Sequence, residues 1–306
     1  MTLFVVQALN GVQLGLLLFL IAAGLTLVFG VMDFINLAHG VQYMLGAYLA
    51  VTFAGLTGSF WLGVPCAVVA AGAIGLALEA VVFRHLYARD HLAQVLGTFG
   101  VIVFLNEAVR TLWGAAPLGL AMPALLSGSL PLTPGLRYPV YRVALIVVAL
   151  AVAGLLALGV RRSRTGMLVR AGAANRVMVT ALGVDIGRLF MLVFGIGAML
   201  AGFAGALAAP LVSVEPGMGD NLLILAFVVI VIGGIGAIRG AFVAAIMVGL
   251  VDTLGRSFAT DAARLVLHGP AAARVGPALA SMLIYLVMAA VLAVRPGGLF
   301  PAAARR

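Results

Sequence analysis

Lysine is missing altogether from this sequence of 306 residues, and cysteine occurs once, as Cys66. Charged residues of every kind make up only 9%. Each scarcity excludes something. A single cysteine rules out an intrachain disulfide framework and a cysteine-cluster metal site, and within its apolar run Cys66 reads as a small packing residue. Without lysine the chain cannot supply the phosphate-binding Lys of a G-x-x-x-x-G-K-[ST] loop, so any ATP that drives it is hydrolysed on another chain. A soluble domain carries about 25% charge; 9% cannot clothe a water-facing surface of this size. The first 83 residues hold no basic residue. The N-terminus therefore lacks the basic stretch of a cleavable signal, its apolar run is too long for one, and the first span is expected to stay in the protein. There is no H-E-x-x-H and no G-x-S-x-G, and His39, His85, His91 and His268 are scattered. No metal site and no catalytic residue is expected, and nothing in these residues argues for an enzyme.

What is present is apolar surface. The composition is 64% hydrophobic with a mean hydropathy of +1.25. Apolar runs of about 18 residues or more recur without the alternation of a barrel strand. The expected fold is all-α: a polytopic membrane protein of 8–9 spans, residues 1–306 forming one domain. Nine spans are read, roughly at 8–31, 35–56, 61–83, 94–114, 139–160, 188–209, 221–238, 240–258 and 277–294, with the seventh and eighth short. The first apolar segment exceeds the ~30 Å hydrocarbon core, so its start, with Gln7, Asn10 and Gln13, is expected at the interface or inside the protein.

All 18 basic residues are arginine, and the net charge is +9. They fall between apolar runs and therefore set topology; nucleic-acid binding is not expected. The segments 84–91, 161–188, 239 and 295–306 carry twelve of them and are expected in the cytoplasm. That places the N-terminus outside and the C-terminus inside. Two connections stand out. The external one, 115–139, contains five prolines and reads as non-helical cover for the outer mouth. The internal one, 161–188, is long, basic and helix-prone, which suits a docking surface for another protein.

Polar groups inside apolar spans are costly and therefore informative. In VFGVMDFINLAHG, residues 28–40, Asp33, Asn36 and His39 step by about −60° on a helix. With Gln42 and Asn106, Asn36 and His39 are the expected pathway residues; Asp33 should anchor a turn, with Gly30 and Gly40 permitting the bend. Glu107 with Arg110 and Asp252 with Arg256 have helical pairing distance. Glu79 lies near Arg84, and Asn221 is placed to cap the seventh span. Gly197, Ala201 and Gly205 repeat every four residues, as do Gly11 with Gly15 and Gly236 with Gly240, a spacing that lets helices approach closely in lipid. GGIGAIRG, 233–240, lacks the spacing and flanks of a dinucleotide fingerprint and reads as a tight turn or packing site.

Four stretches, in order, resemble the permease subunits of branched-chain amino acid ABC importers, the LivH-type family. They are GLTLVFGVMDFINLAHGVQYMLGAY (24–48), the loop and following span at 164–207, the glycine-rich hairpin at 226–252, and VRPGGLF (294–300). The resemblance implies an inner-membrane permease of a bacterium that moves branched-chain or other small hydrophobic amino acids. It also implies partners: a second, related permease, two cytoplasmic ATPases that hold ATP and magnesium, and a periplasmic substrate-binding protein. The segment around Arg170, Ala174, Ala181 and Gly183 corresponds to the element that couples to the ATPase. A permease for urea or short-chain amides shares much of this signature, and an ion-coupled transporter is the alternative of a different class.

Overall fold

The computed structural model describes residues 2–133, 136–265 and 270–300; His268, Arg305 and Arg306 lie outside them. Nine helices correspond to the nine expected spans. They are α1 (Thr2–Met32), α2 (His39–Thr57), α3 (Phe60–Val81), α4 (His91–Trp113), α5 (Val140–Arg162), α8 (Ile186–Ala208), α9 (Met218–Gly233), α10 (Ile238–Arg264) and α11 (Pro270–Val294). Two shorter helices, α6 (Arg164–Ala174) and α7 (Arg176–Ala181), fill the 161–188 connection. Among the described residues, seven helices are long and apolar enough to cross a membrane. The polar groups of α2 lower its hydropathy, and α9 has only 16 residues, about 24 Å. The eighth span, expected to be short, is instead the 27-residue α10.

Residue types at the helix ends explain where the helices start. Asp90, Ser163, Asn175 and Asp185 each accept a hydrogen bond from a backbone N–H in the first turn of the helix that follows. Asn175 therefore splits into two helices a connection whose composition reads as one. The seventh span is not capped by Asn221, which lies exposed inside α9; its N-cap is Gly217.

The first helix is the axis of the molecule. It runs unbroken for 31 residues and lies against α10, α8, α9 and α5. α2, α3 and α8 pack on one side of it, α9, α10 and α11 on the other. α5 and α11 stand at the perimeter, with nearly their whole apolar length facing outward. The polar start of α1 is absorbed inside the protein. Arg142 Nη1 donates to Asn10 Oδ1 at 2.7 Å and to Gln13 Oε1 at 3.2 Å, and Tyr138 Oη donates to Asn10 Oδ1 at 3.1 Å.

Glycines let these helices touch backbone to backbone. A Cβ on Gly46 of α2 would collide with the Gly202 backbone of α8, and one on Gly205 of α8 with the Tyr43 carbonyl of α2. Gly11 and Gly15 meet the backbone of α10 at Gly249–Leu250 and Ala245–Ile246, and Gly197 meets Gly24. Gly11, Gly15, Gly197 and Gly205 thus stand at helix–helix contacts. Cys66, read as a small packing residue, is exposed on α3.

The 115–139 segment, expected on the outer side, departs from the all-helical plan. It holds a two-stranded antiparallel hairpin, β1 (Ser129–Thr133) with β2 (Leu136–Pro139), for which its prolines leave room. Leu118 and Val214 exchange backbone hydrogen bonds of 2.8 and 2.9 Å, so the segment folds back over the bundle end.

Candidate functional site

The α1–α2 junction is a true break in the helix. Helix α1 stops at Met32, and Asp33 takes φ +55°. Aspartate tolerates the left-handed region because its short polar chain bonds locally. The bend is thus made by Asp33 itself. Gly30 and Gly40, expected to permit it, lie in helices and serve contact: Gly30 faces Gly236, and Gly40 faces Gly219.

Three elements clamp the link at 33–38. The Phe34 ring packs against Phe83 at 5.6 Å and edge-on to Tyr87 at 5.2 Å. The Ile35 N–H donates to Gln94 Oε1 at 3.2 Å, and Gln94 Nε2 donates to the Leu86 and Arg89 carbonyls. From the basic connection, Arg176 Nη1 donates to the Met32 carbonyl at 3.1 Å. Helix α7 is therefore wired directly to the last turn of α1. Gln94 and Arg176 are clamping positions that sequence reading missed, because the Ile35 N–H and the Met32 carbonyl they hold are backbone groups far away in the chain.

Behind the clamp lies a buried string of polar side chains. Asn36, His39 and Gln42 are 0%, 0% and 1% exposed. His39 Nε2 stands 3.1 Å from the Ile21 carbonyl of α1. His39 and Gln42 are close neighbours one turn apart on α2 without reaching hydrogen-bond geometry. Both amide atoms of Asn36, both of Gln42, and His39 Nδ1 have no hydrogen-bond partner among the described residues. Space for the string comes from missing side chains: a Cβ on Gly24 would stand 2.9 Å from His39 Nε2. A buried polar group left unpaired costs about 1–3 kcal/mol, so surplus hydrogen-bonding capacity at a helix break is a feature to be explained. The string carries no carboxylate, so it offers neutral donors and acceptors and no fixed charge.

The other expected residues fall in different places. Asn106 is on α4, its Oδ1 buried and unpaired among the described residues, with no hydrogen bond to the string. Thr26 Oγ1 and Tyr48 Oη are likewise buried without a partner among the described residues; neither stands out in the sequence, because both residues suit a core. Glu107 and Arg110 do pair, at 3.3 Å, but on an exposed face of α4 and not in the interior. Asp252 and Arg256 pair at 2.8 Å with the carboxylate buried. Glu79 is buried, 3.6 Å from Arg84, and accepts from Tyr87 Oη.

The basic connection has an apolar outer face. Val177, Met178 and Leu182 are 81%, 58% and 76% exposed, while Val179 turns inward. Arg170, Ala174, Ala181 and Gly183 all lie on the exposed surface of this unit. GGIGAIRG makes both a turn and a packing site. Gly234 and Gly236 take φ of 99° and 81°, and Gly233 and Gly240 touch through backbone. VRPGGLF folds onto the same turn, with Leu299 and Phe300 N–H groups donating to the Ile232 and Gly233 carbonyls. Two motifs some sixty residues apart thus form one unit at the arginine-rich end.

Comparison with known proteins fits this arrangement. A model of the family described as branched-chain amino acid transport system / permease component matches residues 7–292. The chain belongs to this family. The permease protein BraD of the high-affinity branched-chain amino acid transport system of Pseudomonas aeruginosa is 33% identical over 265 residues, 81% of this chain and 85% of BraD. LivH of Escherichia coli K12, from the system of the same name, is 32% identical over 270 residues, 83% and 87% of the two chains. LivM of the same organism, a second permease protein of that system, is 29% identical over 280 residues, 82% of this chain and 64% of LivM. No solved structure matches the chain.

Proposed function

We propose that this permease moves branched-chain or other small hydrophobic amino acids inward across the membrane, powered by two separate ATPases and supplied by an external binding protein. The observation that carries the reading is the family match over residues 7–292, joined by BraD and LivH, which this chain covers by more than four-fifths of their length. The arginine-rich end faces the cytoplasm. Likeness to both LivH and LivM supports a second, related permease as the other half of the pore. The ATPase docks on α6–α7, where Val177, Met178 and Leu182 offer exposed apolar side chains within an arginine-rich connection. Rigid-body motion of that unit reaches the pathway through Arg176 and the Met32 carbonyl, at the foot of the Asn36–His39–Gln42 string.

Proteoliposomes holding the whole assembly are expected to take up leucine only with internal ATP and the binding protein. Uptake by this chain alone without ATP would refute the reading, and uptake of urea but not leucine would change the cargo. Val177→Asp combined with Leu182→Asp should cut co-purification of the ATPase at least tenfold at unchanged membrane yield, since both side chains are already exposed. Undiminished co-purification would move the docking site elsewhere. Arg176→Ala should leave ATP hydrolysis and yield near wild type while lowering uptake per ATP several-fold; unchanged coupling would reduce Arg176 to a loop anchor.

A further inference from the structure

Two grooves at the perimeter run into one another between α5 and α10. The first has a volume of about 450 Å³ and apolar walls, with Leu150 and Gly154 on one side and Phe242 and Val243 on the other. The second, about 580 Å³, opens at the arginine-rich end beside Arg161, Arg170 and Arg239. They share Ala157, Ile238, Arg239 and Phe300. Phe300 is held at the junction by the hydrogen bond from its N–H to the Gly233 carbonyl, 3.1 Å. Among the described residues no carboxylate lies within ion-pair distance of any of the three arginines.

We infer that this composite groove is a binding site for one anionic phospholipid of the leaflet at the arginine-rich end. Charge and length both point to that occupant. Three unpaired guanidiniums converge on one mouth, where a phosphodiester headgroup accepts their hydrogen bonds. From Arg161 the apolar part runs along α5 to Leu150, eleven residues or about 16 Å. That is the depth of one leaflet of a ~30 Å hydrocarbon core. A soluble anion would use the arginines and leave the apolar trough empty; a phospholipid uses both. The site adjoins the GGIGAIRG turn and Arg170 of α6, so the lipid braces the coupling unit against the bundle.

The test uses the full transporter complex, purified in mild detergent, with retained lipid read by native mass spectrometry and affinity by titration with phosphatidylglycerol. Wild type is expected to retain phosphatidylglycerol over phosphatidylcholine. Arg161→Gln with Arg239→Gln should weaken it roughly 30-fold. Gly154→Phe leaves every arginine in place, and because a Cβ there has nothing within 4 Å the new side chain starts in open space and its ring occupies the trough. It should also abolish retention, and it decides the matter if the arginine variant fails to fold. Equal retention by wild type and Gly154→Phe overturns the proposal. So does binding of inorganic pyrophosphate that is blind to Gly154→Phe, which would make the occupant a soluble anion. A disulfide-length crosslink from a Gly154→Cys variant to the partner permease would make the groove a protein interface and overturn it as well.

Discussion

Gly46→Leu is expected to reduce the yield of folded, monodisperse protein from membranes at least tenfold. Helices α2 and α8 meet at this point backbone to backbone, and the first carbon of any side chain on Gly46 overlaps the Gly202 backbone. The obstacle is main chain on both sides, so no rotamer change relieves it, and the helices must part along their length. Overpacking costs about 1–3 kcal/mol where side chains can yield, and here none can. The same contact recurs one turn on, at Gly205 against the Tyr43 carbonyl, so separation at one point loosens both. Gly100→Ala in α4 is the control. A Cβ at that position meets nothing within 4 Å, and alanine should be neutral or stabilising by about 0.5–1 kcal/mol. Size-exclusion profiles and thermal midpoints of the two variants give the answer. A Gly46→Leu protein that behaves as wild type would mean that the α2–α8 contact is dispensable.

Asn36→Leu and Gln42→Met are expected to raise stability and destroy transport together. Both residues are buried, and none of their amide atoms finds a partner among the described residues. Replacing an unpaired buried amide by an apolar group of similar size removes a cost of about 1–3 kcal/mol. A purely structural residue would lose stability on substitution, and a surface residue would change little. Transport should fall at least tenfold, because the donors and acceptors that a passing polar solute needs are gone. The thermal midpoint in detergent and ATP-driven uptake in proteoliposomes measure the two effects on the same preparations. Raised stability with unchanged uptake would show that the pathway lies elsewhere. Lowered stability would show that the amides have partners in the folded state.

Much of this was legible in the residues. The apolar runs give the spans because a ~30 Å hydrocarbon core accepts only helices of about twenty residues with every backbone group paired internally. The four-residue glycine spacing foretells close packing, since only a missing Cβ admits a neighbouring backbone. The pairing of Asp252 with Arg256 follows from helical geometry alone. Where prediction failed, local rules lost to context. Gly30 and Gly40 look like hinge residues, but a glycine in a span serves contact as readily as bending, and the bend went to Asp33. Glu107 and Arg110 look buried because they sit in an apolar run, whereas the side of α4 they occupy faces outward.

The sequence by itself determined that this chain lives in a membrane, where its helices lie, and to which permease family it belongs, since hydropathy, arginine distribution and ordered motifs are properties of the chain read along its length. Only the tertiary structure decided that Arg176 reaches the end of α1, that Gln94 clamps the helix break, and that the C-terminal Gly-Leu-Phe folds onto the glycine turn. Each of these contacts joins residues far apart in the chain, at least one partner being a backbone atom. Every residue carries the same backbone groups, so such a contact leaves no mark in the string of side chains.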